Sequence, residues 1–129
     1  MKEGLIIRAA HYPGRAPIDA YGNGGFRFAD MSHRGSILCL PSGIHGWPVT
    51  SGRGLTEEDL EKVIAEAGEL DILLVGTGID LVPLSKTVRE RLRQFNVSVE
   101  PMSTGSAVRT YNVLLAEDRA VGAALIAVE

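Results

Sequence analysis

The run Ile72-Leu73-Leu74-Val75, closed by Asp71 and Gly76, contains no polar residue. A strand with one wet face alternates apolar and polar residues; a continuous run is buried on both faces, as in parallel sheets. Elements of helical period follow it. Leu84, Val88, Leu92 and Phe95 form one stripe, with Lys86, Arg89 and Arg93 opposite. Such a basic stripe is either a solvated helix face or a contact for an acidic partner or membrane headgroups. Val97-Ser98-Val99 reads as a short strand, residues 103–117 as a further helix, and residues 121–128 as a closing strand. Strand–helix alternation of this kind makes parallel strand pairs joined by crossovers.

Upstream, Thr56 followed by Glu57-Glu58-Asp59 has the form of a helix N-cap with acidic first-turn residues. Leu60, Val63, Ile64 and Ala67 repeat at helical spacing, and Gly68 is the stop. Residues 1–54 differ in character, holding ten of the fifteen glycines and four of the six prolines. They therefore read as strands and turns. Residues 18–21 and 26–29 flank Gly22-Asn23-Gly24-Gly25, which predicts a hairpin on an Asn-Gly turn. A strand over 36–40 and an extended stretch over 44–49 follow. Antiparallel strands from this part join the parallel ones, giving a mixed α/β sandwich. No polar linker divides the chain, and residues 1–129 are expected to form one domain. In the third helix Ala107, Val108, Tyr111, Leu114 and Leu115 form the main face, yet Val113 and Ala116 lie opposite. That pattern predicts cover on two sides, by a second layer or a subunit contact, so a homo-oligomer is one expectation.

The charge balance is −3, which argues against nucleic acid as a partner. The apolar stretch after Met1 ends at Arg8, too short for an export signal, and the longest uncharged apolar run, 120–128, is too short to span a membrane. A cytoplasmic protein without stable membrane insertion is expected. Cys39, the only cysteine, sits in the run Ile37-Leu38-Cys39-Leu40 and reads as a buried small hydrophobe. His11, His33 and His45 are scattered without metal-ligand spacing, so no metal site is predicted. Gly76-Thr77-Gly78 lacks the third glycine of a dinucleotide fingerprint, and no cofactor is expected.

Two loops remain as a candidate ligand pocket. Gly76-Thr77-Gly78 leaves the carboxyl end of one strand, and Ser103-Thr104-Gly105-Ser106 leaves another and opens a helix, whose free amides favour an anion. If the strands are parallel neighbours, both loops share an edge. Asp80, Arg109, Tyr111 and Asn112 complete the candidate set. The competing reading is structural: glycines for tight turns and Ser103 or Thr104 for a helix cap.

Gly76-Thr77-Gly78, Met102-Ser103-Thr104, Thr110-Tyr111-Asn112 and Glu117-Asp118-Arg119 before Ala123-Ala124-Leu125 together resemble one family. It is the small-domain family that includes mitochondrial respiratory complex I assembly factor 3, and this chain looks like a bacterial member without a mitochondrial targeting segment. The resemblance implies a three-layer α/β fold with a central mixed sheet. It implies a non-catalytic accessory or assembly role through protein partners, in the respiratory or the protein-export machinery. The alternative function is a small-molecule enzyme or an anion or metabolite sensor using the two-loop pocket.

Overall fold

A computed structural model describes residues 11–129; the expectation drawn from Met1 to Arg8 lies outside these residues. Six strands form a mixed sheet: β1 (His11–Pro13), β5 (Ser36–Leu40), β6 (Gly43–Trp47), β7 (Ile72–Gly76), β8 (Ser98–Met102) and β9 (Val121–Leu125). Their order is β1-β6-β5-β9-β7-β8, with β7 parallel to both β8 and β9 and the remaining pairs antiparallel. A second sheet holds β2 (Ala20–Gly22), β3 (Gly25–Phe28) and β4 (Met31–Arg34). The helices are α1 (Glu61–Ala65), α2 (Lys86–Arg93) and α3 (Thr104–Ala116).

The alternation of side chains sorts the central strands between two cores. Leu38, Leu40, Leu73, Val75, Ala124 and Ile126 pack on one face with α1 and α2. Ile37, Cys39, Leu74, Val121, Ala123 and Leu125 pack on the other with α3 and the small sheet. The unbroken apolar run of β7 is thus buried on both faces, because successive side chains point to opposite sides of the sheet. The result is a three-layer mixed α/β fold.

The expected hairpin is present: Gly22 pairs with Gly25, and Asn23 and Gly24 turn at φ 53° and 80°. Positive φ at both central residues gives the turn whose twist matches its flanking strands. A second such turn, Ala29-Asp30 at φ 49° and 61°, leads into β4 and carries no glycine to announce it. Other expectations need correction. The helix read over residues 57–67 breaks where Leu60 and Glu66 leave helical geometry, at ψ 19° and 14°. Short 3-10 turns therefore flank α1, while Leu60, Val63 and Ala67 stay buried. Thr56 caps in reverse: its amide and hydroxyl donate to the Asp59 carboxylate, at 2.9 and 3.2 Å. Phe95 lies beyond the end of α2, where Asn96 at φ 64° reverses the chain, and is exposed beneath the Arg91 guanidinium rather than in the core.

The closing strand stops at Leu125, since the Ala127 amide leaves the ladder for Ser36 Oγ at 3.0 Å. At the residues that suggested two-sided cover for α3, no second layer from the described residues of this chain lies over the helix. Val113 is 57% exposed and Ala116 is exposed. The second contact of α3 lies on its flank instead. Asn112 accepts from the Ile18 amide at 2.9 Å and donates to the Ile18 carbonyl at 2.8 Å, standing in for a strand neighbour.

Candidate functional site

β7 and β8 are parallel neighbours, so the loops that leave their carboxyl ends do share one edge. They are stitched to each other. The Thr77 amide donates to the Met102 carbonyl at 2.9 Å, and the Thr104 amide donates to the Gly78 carbonyl at 2.8 Å. Thr104, 0% exposed, accepts from the Gly78 amide at 3.0 Å and donates its hydroxyl to the Ile126 carbonyl at 2.7 Å. The Thr77 hydroxyl donates to the Asp80 carbonyl at 2.8 Å and accepts from the Val82 amide at 2.9 Å. Each hydroxyl spends its proton and a lone pair inside the protein.

The glycines have packing reasons as well. A Cβ on Gly76 would stand 2.9 Å from Thr104 Cα, so strand end and helix start meet backbone to backbone. Gly78 sits at φ 115°, which an L side chain rarely adopts. Ser103 caps α3, accepting from the Ser106 amide at 3.3 Å. Arg109 is exposed and reaches back to Ser106 Oγ at 3.4 Å. Gly76, Thr77, Gly78, Asp80, Ser103, Thr104 and Gly105 therefore meet at one edge, with Arg109 at its rim.

Tyr111 and Asn112 are placed elsewhere. Asn112 holds Ile18, as described above. Tyr111 is 1% exposed, with Cys39 and Arg15 as its polar neighbours. Burial pushes the Cys39 thiol up from 9.0 to about 12, a rise moderated by its hydrogen bond with Tyr111. Burial, and next the neighbouring Cys39, push the Tyr111 hydroxyl up, while the Arg15 charge draws it down. A thiol held protonated this far above neutrality is no nucleophile.

One polar cluster escaped the sequence reading. Ser42 Oγ lies 2.6 Å from Glu66 Oε2 and 2.8 Å from His45 Nε2, and the Ser42 amide donates to Glu66 Oε1 at 2.9 Å. Serine, histidine and carboxylate are the residue types of a hydrolytic triad, but the wiring differs. In a triad the carboxylate orients the imidazole; here it grips the serine by amide and hydroxyl. The cluster ties the β5–β6 turn to the end of α1. Pro41-Ser42-Gly43 marks the turn in the sequence, but nothing local pairs it with a glutamate 24 residues on. Among the described residues no three His, Cys, Asp or Glu side chains are grouped to hold a metal ion. Among the same residues no helix is long and apolar enough to cross a membrane.

Residues 18–126, which run from the small sheet through β9, match a protein family of unknown function, DUF498/DUF598. The chain belongs to this family. The DUF498/DUF598 match takes in the small sheet, β5 to β9 and the two-loop junction, and agrees with the resemblance carried by Gly76 to Leu125. The crystal structure of an outer membrane protein from Bartonella henselae is similar at 60% identity and a TM-score of 0.89, covering 92% of this chain and 100% of that one. An uncharacterised protein of Rhodobacter capsulatus is 44% identical over 122 residues, 95% of this chain and 93% of its own. NADH dehydrogenase [ubiquinone] 1 alpha subcomplex assembly factor 3 of Mus musculus is 32% identical over 122 residues. That alignment takes in 95% of this chain and 66% of the mouse protein.

Proposed function

We propose that the chain is a non-catalytic assembly factor that acts through protein contacts, with subunits of a respiratory NADH dehydrogenase as its clients. The observation that carries this reading is the 32% identity to a named assembly factor along 95% of the chain. The two-loop junction is in keeping with it, since the Thr77 and Thr104 hydroxyls both donate to backbone carbonyls of the fold. Deleting the gene in the host cell is expected to lower the amount of assembled NADH dehydrogenase on native gels. The tagged protein is expected to retain that enzyme's subunits through purification. Normal assembly in the deletion strain, with no respiratory subunit retained, would refute the reading. Retention of protein-export components instead would move the client to that machinery.

A second reading rests on the shared edge of the two loops. Ser103, Ser106 and Arg109 stand at the start of α3, where amides and a guanidinium would favour an anion. Millimolar phosphate is then expected to raise the melting temperature, and Arg109→Ala to remove the rise, because binding to the folded state stabilises it. A melting temperature indifferent to phosphate leaves the junction with a structural role alone.

A further inference from the structure

The basic residues of α2 fall into two sets. Arg91 pairs with Glu57 at 3.0 Å, and Lys86 with Glu90 at 3.8 Å. Arg89 and Arg93, one turn apart, are exposed and have no side-chain hydrogen bond or ion pair among the described residues. Both stand on the flank of α2 that adjoins β8, an edge strand of the central sheet. Helix and strand enclose a groove of about 450 Å³, which Asn96, Val99, Glu100 and Pro101 also line. The chain as a whole is negative, so two uncompensated arginines here make a local positive site against the net charge.

The strand side of the groove has a definite hydrogen-bonding pattern. The Ser98 amide donates to Asp71 and the Met102 carbonyl accepts from Thr77, so residues 98, 100 and 102 turn their backbone groups toward β7. Val99 and Pro101 turn theirs outward. Val99 thus offers an amide and a carbonyl, whereas Pro101 offers only a carbonyl and prevents a long strand from adding. A short extended segment fits this edge, anchored at Val99.

From these features we infer that the α2–β8 groove docks an extended acidic segment of a protein partner, with two carboxylates two residues apart. Residues four apart on a helix stand about 6 Å from each other, and alternate residues of a strand about 6.6 Å. Arg89 and Arg93 therefore match an acidic-x-acidic register, each guanidinium taking one carboxylate. Glu100 is the opposing charge in the groove and weakens the match. This inference rests on the assembly reading and names the chemistry of the client contact.

The test uses the whole protein and a fluorescein-labelled peptide carrying Glu-Val-Glu between serine and threonine flanks, read by anisotropy at low salt. Binding is expected to weaken about threefold with Arg89→Ala or Arg93→Ala and about tenfold with both. It should tighten about twofold with Glu100→Gln, vanish for the Gln-Val-Gln peptide, and fade in 0.5 M salt. An unbound peptide, or binding indifferent to both arginines, overturns the inference. So does arginine-dependent binding of phosphatidylserine vesicles without the peptide, which would assign the groove to a lipid surface. The double variant also separates the two readings in the host cell. If it restores NADH dehydrogenase assembly to a deletion strain while failing to bind the peptide, the groove is not the client contact and the assembly role stands. If the peptide binds as described and deletion leaves assembly intact, the groove stands and the assembly role falls.

Discussion

Replacing Thr104 with valine is expected to destabilise the protein by about 3 kcal/mol, roughly 10 °C in melting temperature. The substitution keeps the shape and removes the hydroxyl. It leaves the Gly78 amide and the Ile126 carbonyl facing an apolar group at a position with 0% exposure. A buried donor or acceptor left unmade costs about 1–3 kcal/mol, and two are left here. Thr104→Ser keeps both hydrogen bonds and loses one methyl group, so its cost should stay near 1 kcal/mol. Urea unfolding of the three proteins checks the claim. A Thr104→Val protein as stable as the parent would mean that the junction does not depend on this hydroxyl, and would reopen Thr104 as a ligand-facing group.

What the sequence made legible is what hydrophobic period and turn chemistry encode locally. The apolar run of β7, the Asn23-Gly24 turn and the helical stripe of Val88 and Leu92 are each contained within a dozen residues. Strand–helix alternation was enough to bring two loops to one edge. The parts that were not legible depend on partners far apart in the chain. Asn112 serves Ile18, 94 residues away, and Glu66 grips Ser42 from the end of a different helix. Tyr111 belongs by helical period to the apolar face of α3, and it is that face, with Cys39 and Arg15 as neighbours, that takes it into the core rather than to the two-loop edge. β4 was missed because Ala29 and Asp30 adopt positive φ without the glycine that marks such turns. Pro101 disguised the second half of β8, which tolerates a proline because one side of that strand has no neighbour.

The same buried pair of Cys39 and Tyr111 sets the response of the fold to alkali. In the unfolded chain the thiol loses its proton near 9.0 and the phenol near 10.0. In the folded protein burial holds the thiol proton to about 12 and pushes the phenol up as well. Between those limits the folded state binds more protons than the unfolded one, so stability falls as pH rises. The contribution is complete below pH 9 and declines through the window up to the folded value. Each group can remove at most about 1.4 kcal/mol per pH unit, which makes the loss from Cys39 alone on the order of 4 kcal/mol by pH 12. Urea midpoints should therefore be level from pH 7.5 to 8.5 and drop above 9. In Cys39→Ala the parent's extra drop between pH 9 and 10 should disappear, leaving the later decline owed to Tyr111. The folded thiol should also resist alkylation by N-ethylmaleimide at pH 8, where an exposed one reacts. Equal slopes in the parent and Cys39→Ala would show that the thiol ionises as readily folded as unfolded, which a side chain closed between β5 and α3 does not permit.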